Sequence, residues 1–77
     1  MTVRVHLLGY LAKYSPSGGE KFNLDLNPES TVGGLLEKIG FPAELEKMIL
    51  VNGRQADPTV RLGEDDEVFI FSPATGG

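Results

Sequence analysis

The sequence predicts an α+β fold, a mixed β-sheet of four to five strands with one main helix packed across one face. Three observations carry this expectation. Val3, Val5 and Leu7 alternate with Arg4 and His6, the period of a half-buried strand. Val32, Leu35, Leu36 and Ile39 fall at helical spacing and form the apolar stripe of an amphipathic helix. Val68 to Phe71 is an unbroken apolar run near the end of the chain, which suits a strand covered on both faces.

The other elements follow in order. Residues 10–20, YLAKYSPSGGE, break the first alternation. Their Ser-Pro-Ser-Gly-Gly core has the chemistry of a loop, with Tyr10, Leu11 and Tyr14 expected to cover one edge of the core. Phe22, Leu24 and Leu26 alternate with Asn23 and Asp25, which gives a second strand antiparallel to the first. Asn27-Pro28-Glu29 turns the chain, and Ser30 and Thr31 are good N-cap residues for the helix. Gly33 and Gly34 each cost about 1 kcal/mol against alanine inside a helix, so a strand or loop is expected to pass close to them. Gly40 fits the left-handed position beyond the helix, and Pro42 prevents continuation. Residues 43–47, AELEK, suit one further helical turn.

Met48 to Val51 is a short apolar strand. Asn52-Gly53 signals a type I′ hairpin, and residues 54–56 form its return strand. Val60 and Leu62 are expected to reach the core from a loop. Gly63-Glu64-Asp65-Asp66 is read as a solvated turn, and Glu67 to Phe71 as the final strand. A mixed sheet with a single helix satisfies this order if the first and last strands lie parallel in the middle. That is the β-grasp, or ubiquitin-like, arrangement. Residues 1–71 form the domain and residues 72–77 a flexible tail.

Composition excludes much chemistry. The chain has 77 residues and no cysteine, so one domain is expected without disulfides, thiolate metal sites or a cysteine nucleophile. His6 is the only histidine, nothing beside it resembles a nucleophile elbow, and it is read as a half-exposed strand residue. A self-contained enzyme is not expected, nor is a bound cofactor or metal. The net charge of −4 argues against nucleic-acid binding and favours a basic protein partner. No apolar run approaches the roughly 20 residues of a membrane span, and the reading is cytoplasmic.

The tail is the feature that points to function. Phe69-Ile70-Phe71 gives way to Ser72-Pro73-Ala74-Thr75-Gly76-Gly77. Pro73 stiffens the exit from the sheet, and the small residues after it suit a narrow channel, since glycine permits close approach of backbone to another surface. The only reactive group such a tail delivers is the terminal carboxylate of Gly77, ionised at neutral pH. A carboxylate is a poor electrophile, but it can attack the α-phosphate of ATP and become an acyl-adenylate open to a sulfur nucleophile.

At this point the chain resembles the MoaD/ThiS family of ubiquitin-like sulfur carriers, MoaD more than ThiS. STVGGLLEKIG is similar to the family's helix start, ILVNG to its third strand and turn, and LGEDDEVFIFSPATGG to its ending. The chain departs from that pattern at Asp65-Asp66, where Gly-Asp is usual, and at Ser72-Pro73, where Pro-Pro is common.

The resemblance implies that a MoeB/ThiF-type adenylating enzyme, using ATP, activates Gly77 at the end of the Gly76-Gly77 pair, and that a persulfide converts the adenylate to a thiocarboxylate. The sulfur would then go to molybdopterin through a MoaE-type large subunit, with the chain as small subunit of the synthase. A ThiS-like role in thiazole synthesis and a ubiquitin-like modifier joined to lysines through Gly77 are the alternatives, as is an interaction-only domain with an incidental tail. The family's strand phase turns Val68, Ile70, Ile49 and Val51 toward the helix. Phe69, Phe71, Met48 and Leu50 are then expected on the open face as an exposed partner surface, with Pro73 and Thr75 extending it along the tail.

Overall fold

The computed structural model of the chain describes residues 1–73. Its sheet contains β1 (Thr2–Leu7), β2 (Lys21–Asp25), β3 (Met48–Val51), β4 (Arg54–Gln55) and β5 (Glu67–Phe71) in the spatial order β2-β1-β5-β3-β4. β1 runs antiparallel to β2 and parallel to β5, and β3 runs antiparallel to both β5 and β4. The helix α1 (Val32–Ile39) packs across one face. The predicted class and the central parallel pair are both present.

The core forms where the apolar stripe of α1 meets one face of the sheet. Val3, Val5 and Leu7 of β1, Val68 and Ile70 of β5, and Val32 and Leu35 of α1 have no exposed surface. Phe22 and Leu24 of β2 and Val51 of β3 pack against this cluster while half-buried. The loop residues Leu26, Phe41 and Leu62 close its edges, and Leu62 holds its place through a bond from its amide to the Ser30 carbonyl at 3.0 Å.

α1 starts and stops for local reasons. The Thr31 hydroxyl accepts from the Gly34 amide at 3.2 Å, which satisfies one of the four free donors of the first turn. Gly40 follows the helix at φ +74°, a conformation that costs other L-residues about 1 kcal/mol or more. The close neighbour expected near the paired glycines belongs to Gly33 alone. Its amide donates to the Pro58 carbonyl at 2.9 Å, and a Cβ there would sit 3.2 Å from that oxygen. Gly34 has no such contact.

Four expectations change. Residues 9–14 are a 3₁₀ helix rather than loop. Leu11 is buried and Tyr14 half-buried, but Tyr10 points to solvent at 56% exposure. Residues 43–47 add no helical turn; Pro42 accepts from the Leu45 amide at 3.2 Å and the chain then enters β3. His6 is buried, at 9% exposure.

The acidic turn is a structural joint. Asp66 accepts from the Gly63 amide at 2.7 Å and from the Asn52 side-chain amide at 2.8 Å. Asn52 in turn accepts from the Glu67 amide at 3.0 Å while sitting at φ +52° in the β3–β4 turn. One side chain thus ties the hairpin to the start of β5. Replacing it, Asn52→Ala, removes two hydrogen bonds and leaves alanine in the left-handed region. A loss of about 2 kcal/mol is expected, read as a lower melting temperature with the fold retained by circular dichroism.

The turn after β4 is sensitive to acid. Asp57 titrates below its ordinary value of 3.8 because the Thr59 hydroxyl and then the Thr59 amide donate to its carboxylate. A depressed value means that this contribution is present in full above the ordinary value and disappears as pH falls through the lower folded one. Thr59→Val is expected to move the Asp57 midpoint up toward 3.8 in a titration followed by NMR.

Candidate functional site

β5 builds both sides of the sheet at once. In its pleat Val68 and Ile70 are fully buried against α1, while Glu67, Phe69 and Phe71 are half-buried on the opposite face. Directly opposed residues share a face. Phe69 stands opposite His6 on β1 and Leu50 on β3, and Phe71 stands opposite Met48. The alternation continues past β1, where the Leu8 amide donates to the Ile70 carbonyl at 3.0 Å. That places Leu8 beside Phe71 on the open face.

The predicted residues Phe69, Phe71, Met48 and Leu50 therefore come together on the open face. They are less exposed than expected, since each is half-buried. Gln55 lies against the Met48 sulfur at 3.9 Å. The large apolar residues that stand out most are instead Leu8 and Tyr10, at 36% and 56% exposure. Sequence reasoning missed Leu8, although extending the β1 alternation by one residue points to it.

The base of the tail lies next to these two side chains. Ser72 and Pro73 are half-buried, and the Tyr10 hydroxyl donates to the Ser72 hydroxyl at 3.4 Å. Buried Leu11 anchors the 3₁₀ helix that carries Tyr10. Ala74, Thr75, Gly76 and Gly77 lie outside the described residues, so the predicted roles of Thr75, Gly76 and Gly77 lie outside them too.

Toward β2 the face becomes polar. The His6 ring stacks on Phe69 with centroids 4.0 Å apart and planes 7° from parallel. Its Nε2 lies 3.1 Å from Glu67 Oε2. A carboxylate only accepts, so the proton of this bond is on Nε2. An open depression of about 440 Å³ adjoins the pair, lined by Arg4, Lys21, Asn23 and Glu67 among others. It is open to solvent rather than enclosed. A broad face with an aliphatic and aromatic strip, a polar flank and no enclosed cavity has the form of a protein-docking surface. Among the described residues, no cluster of three or more histidine or acidic side chains could hold a metal ion, and no helix is long and apolar enough to cross a membrane.

Comparison with known proteins agrees with this geometry. No curated protein matches the chain significantly in sequence. Among solved structures, SAMP1 of Haloferax volcanii superposes with a TM-score of 0.81 at 22% identity, with 100% of both chains covered. A putative molybdopterin converting factor subunit 1 of Pyrococcus furiosus gives 0.82 at 23% identity, covering 96% of this chain and 99% of that one. A complex of subunits 1 and 2 of molybdopterin-converting factor from Helicobacter pylori gives 0.67 at 22% identity, again with 100% of both chains covered. These likenesses establish the ubiquitin-like β-grasp fold. A family model described as the ThiS family matches residues 6–77, nearly the whole length including the Gly-Gly terminus, and the chain belongs to the ThiS family of ubiquitin-like sulfur-carrier folds.

Proposed function

We propose that the chain is a sulfur carrier whose Gly77 carboxylate is adenylylated and converted to a thiocarboxylate, and that it donates this sulfur in molybdopterin biosynthesis as the small subunit of a synthase. The single observation that carries the carrier reading is the family match running through Gly77, and the likeness to molybdopterin converting factor structures supports the pterin acceptor. The carboxylate attacks the α-phosphate of ATP, releasing pyrophosphate, and a sulfur nucleophile then displaces AMP from the carbonyl. The chain supplies a co-substrate and no catalytic side chain. Its own residues present the tail: Tyr10 and Ser72 hold its base, Pro73 stiffens the exit, and Gly76 and Gly77 place no side chain beside the reacting carbonyl.

The partners follow from the chemistry. A MoeB/ThiF-type enzyme in the cytoplasm would bind the ATP, and a MoaE-type large subunit would take the sulfur. The Helicobacter pylori neighbour, a subunit 1 in complex with its subunit 2, supports a large-subunit partner. The strip of Leu8, Phe69, Phe71, Met48 and Leu50 is the surface both would use. A second reading, conjugation of Gly77 to lysines, draws support from a neighbour titled small archaeal modifier protein 1 of Haloferax volcanii, with a TM-score of 0.79 at 20% identity.

Two measurements test the carrier reading. Adding one residue after Gly77 is expected to abolish ATP–pyrophosphate exchange with the activating enzyme, while the circular dichroism spectrum stays the same. The unmodified chain, given ATP, that enzyme, a persulfide donor and a thiol that reduces the resulting acyl disulfide, gains the mass of one oxygen-to-sulfur exchange; conjugates found in its place would favour the second reading. Phe71→Ala is expected to weaken partner binding by about tenfold or more in titration calorimetry.

A further inference from the structure

His6 has no part in the chemistry above, yet it is buried on the open side of the sheet. Three contacts hold it there: the stack on Phe69 at 4.0 Å, the bond to Glu67 at 3.1 Å, and its position between Lys21 and Phe69 in the strand register. The two rings project side by side from adjacent strands. Leu50 flanks Phe69 on its other side. Phe69 is therefore fixed before any partner arrives, with its outer edge free.

The length of the tail brings any enzyme that holds Gly77 against this edge. Gly77 is the fourth residue beyond Pro73, and an extended chain spans at most about 3.6 Å per residue. An enzyme holding the Gly77 carboxylate in its active site therefore sits within roughly 14 Å of Pro73. Its surface meets Phe71 and then Phe69, two residues further back on the same face.

We propose that His6 is a positioning residue for docking on the activating enzyme: its ring locks Phe69 in the orientation that the enzyme's surface receives. This rests on the carrier reading given above. Immobilising a free aromatic side chain during association weakens binding by about three- to tenfold, and the stack removes that cost in advance. The bond to Glu67 serves the stack by fixing the plane of the imidazole.

The test is ATP–pyrophosphate exchange with a MoeB/ThiF-type activating enzyme, with carrier concentration varied. His6→Phe keeps a ring beside Phe69 and loses the bond to Glu67. His6→Gln keeps a hydrogen-bonding group and loses the ring. The expected result is a KM within about twofold of the parent for His6→Phe and a KM raised about three- to tenfold for His6→Gln, with kcat the same in both. The NMR signals of the Phe69 ring should keep their ring-current displacement in the first variant and lose it in the second. Equal KM values in the two variants, whether raised or not, overturn the proposal, as does a change confined to kcat. Either result with a fully active parent chain leaves the carrier reading standing. No exchange with the parent chain overturns both.

Discussion

The parallel pairing of β1 with β5 is the constraint on which the rest depends. It sets Val5 beside Val68 and Leu7 beside Ile70, all four without exposed surface. The ladder is extended at both ends, by the Arg4 amide on the Asp66 carbonyl at 2.9 Å and the Leu8 amide on the Ile70 carbonyl at 3.0 Å. Side chains alternate strictly across a sheet, so a slip of one residue would turn every apolar side chain to the wrong side. Val68 and Ile70 would face water, and Phe69 and Phe71 would press on α1. The same register that closes the core thus also composes the apolar strip of the open face.

Small proteins bury little and depend on local joints. Here those joints gather behind the tail-bearing strand. Asn52 and Asp66 secure the start of β5, Thr31 and Pro58 set the start of α1, and Leu11 pins the 3₁₀ helix that bears Tyr10. The charged turn at residues 63–66 takes part through Asp66, while the departure from the expected Gly-Asp pair falls on Asp65. Asp65 occupies the left-handed region at φ +65°, where glycine is the common choice and aspartate is tolerated.

Much of this was legible in the sequence because periodicity reports burial directly. The alternation in β1 and β2, the helical stripe from Val32 to Ile39 and the Asn52-Gly53 turn each led to the element observed. The open-face set of Phe69, Phe71, Met48 and Leu50 followed from the strand phase. Exposure was less legible, because it depends on neighbours from other strands. His6 looked half-exposed on its own strand, and it is its neighbours Phe69 and Glu67 on β5 that cover it. Tyr10 suits a cover for the edge of the core by composition, but the 3₁₀ helix turns Leu11 inward and Tyr10 outward. The compatible helical composition of residues 43–47 was overruled by the short path from Phe41 to β3.

The tail leaves from a strand in the interior of the sheet, with β1 on one side and β3 on the other. This has a mechanical consequence. A pull on the tail runs along β5 and loads both ladders in shear, so their hydrogen bonds resist together instead of opening one after another as at a peeled edge. On the function proposed above, an enzyme that drew the terminus into a tight channel would not unravel the domain.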